Sequence, residues 1–253
     1  MTEQHFDAVV FDAYGTLLDV HAAMARHAKR LGSDWQALAT EWRIKQLEYS
    51  WIHNMTVHRA RRDFATCTAD ALDYVLARHA IDGGLRTELL TAYECLDAYA
   101  EVPTMLATLR RHGFRLAILS NGTPKMLMAA CQAAGITSLL DAIISVEQAG
   151  CFKPAPAVYG LVQTKLEVTP ARTLFVSGNP WDSQAALANG FAVVRVNRHG
   201  DPDEYGLRPH LVAELQDLTF PKFWCRRQRK WYTRQCVIAR RDLAAHGSVS
   251  QKA

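Results

Sequence analysis

The chain has 253 residues, 49% of them hydrophobic and 21% charged, enough apolar material to bury a large core and too much for a disordered protein. No apolar run of 18 residues occurs, and the opening MTEQHFDAVVFD lacks the basic, apolar and small-residue order of a secretory signal, so a cytoplasmic protein off the membrane is expected. The formal charge of +4 misleads: residues 222–253 hold nine Lys/Arg and one Asp, while residues 1–221 hold 20 Lys/Arg and 24 Asp/Glu, so the body is acidic and the excess belongs to a tail.

In chain order, FDAVVFD at 6–12 reads as a buried strand that ends on a carboxylate. From about 20 to 100 no strand pattern occurs. EWRIKQLEYSWI (41–52) and TADALDYVLARHAI (68–81) place apolar residues at helical spacing among charges. A helix near 103–112 then precedes a strand at 114–120 (FRLAILS), a helix at 124–134, a strand at 142–146 (AIISV) and a helix at 155–166. A strand at 173–177 (TLFVS), a helix at 181–189 and a strand at 192–197 (AVVRVN) complete the alternation. Most of these helices open on Pro and close on Gly, as helix ends do.

Such alternation implies an α/β fold, a Rossmann-like parallel sheet flanked by helices. The expected domains are a core of residues 1–19 and 100–221, an inserted helical cap of residues 20–99, and a basic tail of residues 222–253. An insertion after the first strand lies over the carboxyl edge of the sheet, where open α/β sheets bind ligands, and can act as a lid. The tail's basic and aromatic mixture is compatible with a nucleic-acid backbone, but an appendage outside the chemistry is the favoured reading. The six cysteines (Cys67, Cys95, Cys131, Cys151, Cys225, Cys236) form no C-x-x-C pair and no zinc-ligand spacing.

Four strand ends carry polar residues to one edge: Asp12, Tyr14 and Thr16 after the first, Ser120-Asn121-Gly122 after the second, Lys153 after the third, and Ser177-Gly178-Asn179-Pro180-Trp181-Asp182 after the fourth. Each has an ordinary explanation by itself. Thr123 can cap the helix that Pro124 opens, Asn179 can cap the one that Pro180 opens, and Lys153 can be a surface lysine. It is the coincidence at one edge that favours a site.

FDAYGTLLDV, EWRIKQLEYSW, LAILSNG, FKP with Tyr159, and SGNPWD, in this order across residues 6 to about 215, resemble the haloacid dehalogenase superfamily and, within it, the L-2-haloacid dehalogenases. The Trp-Arg-x-Lys-Gln-Leu-Glu-Tyr and Ser-x-Asn-x-x-Asp runs are the more specific elements. An argument independent of the resemblance separates the two main activities of such a fold. A phosphatase using Asp12 attacks an anion, so it needs Mg²⁺ held by several carboxylates and usually an acid two residues on to protonate the leaving alkoxide. Position 14 is Tyr, and Asn179 stands where a metal-binding acid is expected, which leaves Asp182 as the other evident carboxylate. Halide leaves carbon without protonation, and aspartate in water is ionised at neutral pH, so Asp12 can act unaided.

The resemblance implies hydrolysis of short-chain (S)-2-haloalkanoic acids to (R)-2-hydroxyalkanoic acids through an ester on Asp12, with no metal and no cofactor. A Mg²⁺-dependent phosphatase or phosphonate hydrolase of the same fold is the alternative. Lys153, Ser120 and turn N–H groups are expected at the substrate carboxylate, Arg43 and Asn121 at the halide with Trp181 nearby, and Tyr14, Leu47 and Trp181 as apolar walls. By resemblance Asp182 activates water, Thr16, Ser177 and Asn179 orient, and Tyr159 holds Lys153 or Asp182. A homodimer through the cap helices is a further expectation. Ile44, where the family often has Gln, and a Trp51-to-Phe64 spacing about two residues longer than usual leave the pocket and halide preference open.

Overall fold

A computed structural model describes residues 3–56, 62–206, 209–212, 214–219, 224–225 and 230–232. A short strand, β1 (Glu3–His5), precedes a parallel sheet built from β2 (Ala8–Phe11), β3 (Arg115–Ser120), β4 (Ala142–Ser145), β5 (Thr173–Ser177), β6 (Ala192–Val196) and β7 (His210–Val212). Its spatial order is β4-β3-β2-β5-β6-β7. β2 is central, with Val10 opposite Ala117 on one side and Phe175 on the other. All four of its residues are fully buried, the sequence signature of a strand covered on both faces.

The chain leaves β2 through a tight turn and enters a helical segment before it returns, whose described α-helices are α1 (Ala22–Ala25), α2 (Ala28–Leu31), α3 (Trp35–Met55), α4 (Phe64–Arg78) and α5 (Arg86–Glu94). α3 buries Leu38, Ala39, Trp42 and Leu47 against its neighbours, and the Trp42 indole N–H donates to the Thr68 carbonyl of α4 at 2.8 Å. The outgoing and returning segments are tied where they cross, by Tyr99 N–H to the Leu17 carbonyl (3.1 Å) and Asp19 N–H to the Asp97 carbonyl (2.9 Å). The sheet's crossovers are α6 (Val102–Arg111), α7 (Pro124–Ala133), α8 (Pro156–Leu166) and α9 (Pro180–Ala188). Each carries Pro in its first turn, where the missing N–H costs nothing.

Two features differ from the sequence reading. β7 extends the sheet by three residues, too short a run for periodicity to register. β1 belongs to a second sheet, pairing antiparallel with β9 (Lys230–Tyr232), which in turn pairs with β8 (Trp224–Cys225). These two strands are the described part of the basic tail; its remainder lies outside the described residues, as do residues 57–61, where the longer Trp51-to-Phe64 spacing falls. Among the described residues no helix is long and apolar enough to cross a membrane.

The loops after β2 and β5 touch at backbone level. A Cβ at Gly178 would lie 2.4 Å from the Gly15 carbonyl oxygen, and Gly15 itself has φ +83°, a conformation that glycine adopts without strain. Gly178→Ala is expected to push these loops apart, lowering stability by about 1–3 kcal/mol and Tm with it; urea unfolding of the variant beside the parent measures this.

Candidate active site

Strand β2 ends at Phe11, and its next residue, Asp12, keeps the ladder by donating its N–H to the Val176 carbonyl at 2.9 Å. The turn that follows closes through Leu17 and Leu18 N–H groups on the Ala13 carbonyl, at 2.9 and 3.0 Å. It carries Thr16 back beneath the carboxylate. The Thr16 hydroxyl donates to Asp12 Oδ2 at 3.0 Å and accepts the Gly178 N–H at 2.8 Å, so one side chain joins the first loop to the fourth.

The carboxylate of Asp12 is 5% exposed and held on both oxygens. Oδ2 accepts from Thr16 and from Asn179 Nδ2 at 2.7 Å; Oδ1 accepts from Lys153 Nζ at 3.1 Å. Asn179 occupies the N-cap position of α9, yet its side chain makes no cap bond. Its amide turns instead onto Asp12 and the Tyr14 carbonyl, the latter at 3.0 Å, which sets aside the plain capping explanation. Thr123 does cap α7, accepting from Met126 N–H at 3.2 Å.

Lys153 is 1% exposed, and its ammonium lies between two carboxylates, Asp12 and Asp182, the second at 2.8 Å. Two of its three donors are thus directed at protein carboxylates. The fully buried Asp182 spends Oδ2 on Lys153 and the Ser177 hydroxyl (3.1 Å), and Oδ1 on the Tyr159 hydroxyl at 2.5 Å. Of the two partners offered for Tyr159, the structure places it on Asp182. Burial disfavours the ammonium, but Asp12 and Asp182 outweigh it and hold Lys153 above its ordinary value. Burial prevails at Asp182, whose carboxyl is raised despite the ammonium beside it.

The loop bearing Lys153 is pinned from two directions. Asn121 Oδ1 accepts the Lys153 N–H at 2.9 Å, an orientation set by the partner because a backbone N–H can only donate. Asn54, near the end of α3, pairs twice with Phe152, through Nδ2 to the carbonyl (2.7 Å) and Oδ1 from the N–H (2.8 Å). Buried Ser120 accepts the Gly122 N–H at 3.4 Å, leaving its own proton to donate.

From the helical insertion, half-buried Arg43 reaches the Tyr14 carbonyl at 3.3 Å and Gln46 Oε1 at 2.7 Å. Gln46 is fully buried and anchored by Thr68 Oγ1 (2.6 Å) and the Tyr93 hydroxyl (3.1 Å). Tyr14 is buried, stacked on Tyr93 with centroids 5.6 Å apart, and burial pushes its phenol well up. Trp181 meets Trp51 edge-on at 5.5 Å, and Leu47 is buried on the same helix. Ile44 is 57% exposed, so its departure from the family pattern points away from the carboxylates.

The sequence alone assigns no role to Asn54, Gln46, Thr68 and Tyr93. The signal was present for two of them: Arg43, Gln46, Ser50 and Asn54 form a polar row at helical spacing on the face that α3 otherwise buries. Thr68 and Tyr93 lie on other helices, and nothing local marks them.

The residues brought together are thus a carboxylate with defined donors on each oxygen, a second carboxylate buried beside it, and an ammonium shared by both. Described as haloacid dehalogenase-like hydrolase, one family matches residues 6–190. The chain is 41% identical over 215 residues to (S)-2-haloacid dehalogenase 4A of Burkholderia cepacia, covering 83% of this chain and 92% of that one. It is 42% identical to (S)-2-haloacid dehalogenase 1 of Pseudomonas sp. strain CBS-3, with 83% and 94% covered. Its structure is similar to that of the Xanthobacter autotrophicus L-2-haloacid dehalogenase with chloropropionic acid covalently bound, at TM-score 0.78 and 35% identity, covering 85% and 97%.

Tyr159→Phe removes a donor to a charged acceptor, a bond worth about 1.5–3 kcal/mol. That bond favours the Asp182 anion, so its contribution is present above the carboxyl's raised pKa and shrinks as pH falls through it. The stability gap between parent and variant is expected to narrow on acidification, as read by denaturant unfolding over pH.

Proposed function

The chain belongs to the haloacid dehalogenase-like hydrolases, and we propose that it hydrolyses short-chain (S)-2-haloalkanoic acids to (R)-2-hydroxyalkanoic acids and halide. The observation that carries this reading is the buried Asp12 carboxylate, whose two oxygens are held unequally. Oδ2 already accepts from Thr16 and Asn179, whereas Oδ1 accepts from Lys153 and keeps a lone pair for attack. Oδ1 forms the bond to C2 as the carbon–halogen bond breaks on the far side and the halide departs with its electron pair.

In the resulting ester Oδ2 is the carbonyl oxygen, and Thr16 and Asn179 become the donors that stabilise negative charge there when water adds to Cγ. Asp182 takes one proton from that water, a role suited to a carboxyl that burial makes more basic, and returns it to Oδ1 as the Cγ–Oδ1 bond breaks; the hydroxyacid leaves with Oδ1, and Asp12 regains its carboxylate by losing the water's second proton to solvent. Ser177 and Tyr159 hold Asp182 in place, and Lys153 balances whichever carboxylate carries the charge. Inversion occurs once, at C2, so the (S) acid gives the (R) product.

The third Lys153 donor, the Ser120 hydroxyl and neighbouring backbone N–H groups are assigned to the substrate carboxylate. Arg43 and the Asn121 Nδ2, which the Lys153 N–H turns away from Oδ1, are assigned to the halide. Tyr14, Leu47 and Trp181 line the apolar side that limits water. The helices between residues 20 and 99 act as the cap. Ile44, Ile52 and Met55 leave an exposed apolar row on α3, which supports a homodimer through that helix. We place the protein in the cytoplasm.

Magnesium chemistry does not fit these donors. The site between Asp12 and Asp182 is taken by an ammonium, and the residue two beyond Asp12 is a tyrosine. The test is halide release from (S)- and (R)-2-chloropropionate in EDTA, beside a phosphate ester with added Mg²⁺. Chloride from the (S) acid alone, unaffected by chelation, is expected; phosphate release abolished by EDTA, with no chloride, would overturn the reading. A single turnover in ¹⁸O water is expected to leave the hydroxyacid unlabelled and to label Asp12, because water attacks the ester carbonyl; label in that first product would place the attack at C2.

A further inference from the structure

The fifth strand also sends a residue to this edge. Beyond β6, Arg198 follows Asn197, whose N–H continues the ladder to the Val212 carbonyl at 2.8 Å and whose side chain exchanges two bonds with Asp201. The base of Arg198 is therefore fixed, and its guanidinium turns back over the turn that follows Asp12.

Four contacts define where it ends. Nη2 donates to the Thr16 carbonyl at 3.0 Å and to Glu101 Oε1 at 2.7 Å, and Nη1 reaches the Gly15 carbonyl at 3.5 Å. The guanidinium carbon lies 3.7 Å from the centroid of the Tyr99 ring. No backbone N–H among the described residues takes the Gly15 or Thr16 carbonyl. The planar fork of Arg suits two adjacent acceptors and a stacked ring together; an ammonium cannot reproduce that.

These partners stand on both sides of the crossing between the sheet and the helical insertion. Gly15 and Thr16 belong to the outgoing segment, Tyr99 and Glu101 to the returning one, and the two are bonded to each other through Leu17 and Tyr99. Thr16 in turn holds Asp12 Oδ2 and the Gly178 N–H. We propose that Arg198 is a positioning residue: it clamps both crossing segments and thereby keeps Thr16, and through it Asp12, in the geometry for attack. This rests on Asp12 as the nucleophile. Arg198 acts through the turn backbone, so its loss affects turnover more than substrate affinity.

The experiment compares Arg198→Met, Arg198→Lys and Glu101→Gln with the parent for chloride release from (S)-2-chloropropionate, with thermal unfolding of each. Arg198→Met is expected to lower kcat by about tenfold to a hundredfold, the scale of a small misplacement at a reacting centre, with KM nearly unchanged. Arg198→Lys, which keeps charge but not the fork, is expected to remain well below the parent and provides the reading if the Met variant does not fold. Glu101→Gln, which keeps an acceptor for Arg198, is expected to retain most of the turnover. An Arg198→Lys or Arg198→Met enzyme with parental kcat would overturn the proposal, as would a loss confined to KM or explained wholly by the unfolded fraction. If the parent itself releases no chloride, the function assignment fails first.

Discussion

Everything in this site depends on one ammonium placed between two carboxylates in a region nearly closed to solvent. Lys153 and Asp182 are each at most 1% exposed, and neither charge is tolerable there alone. Together with Asp12 they form a triad in which the cation serves both anions. Removing one member of a buried pair costs about 3–5 kcal/mol, since the other charge is left uncompensated. The array is thus self-enforcing: each charge is tolerated because of the others.

That arrangement could be assembled only where loops from separate strands meet. Asp12 follows β2, Lys153 the segment after β4, and Asp182 lies in the first turn of the helix after β5. Their mutual distances are set by the parallel register of the sheet and by close backbone packing between Gly15 and Gly178. The helical insertion adds a second frame: Asn54 grips the Lys153 loop through the Phe152 backbone, and Gln46 steadies Arg43. A polar network of this kind is stable in a dry interior because its members satisfy one another.

Much of this was legible locally. Apolar runs ending in polar turns marked five of the six parallel strands, and helical periodicity with Pro at helix starts marked the crossovers and the insertion. β7 and the small sheet joining β1 to the tail were not legible, because runs of two or three residues carry no period. Asn179 shows the limit at the level of a side chain: Asn before Pro reads as a helix cap, and only its neighbour across the loops, Asp12, turns the amide to another use. The same holds for Lys153, whose charge in the sequence gives no sign of the two protein carboxylates that it bridges.

By itself the sequence determined the alternation of strands and helices, the insertion after the first strand, the carboxylate at that strand's end, and Tyr where a metal-dependent relative needs an acid. These are matters of periodicity and residue chemistry, which act over a few positions. Tertiary structure alone decided that Lys153 sits on Oδ1 of Asp12, that Tyr159 reaches Asp182, and that Arg198 reaches the turn beside Asp12. The Lys153, Tyr159 and Arg198 contacts join residues 141, 23 and 182 positions apart. No local pattern encodes such a pairing; it exists only once the sheet has brought the strand ends together.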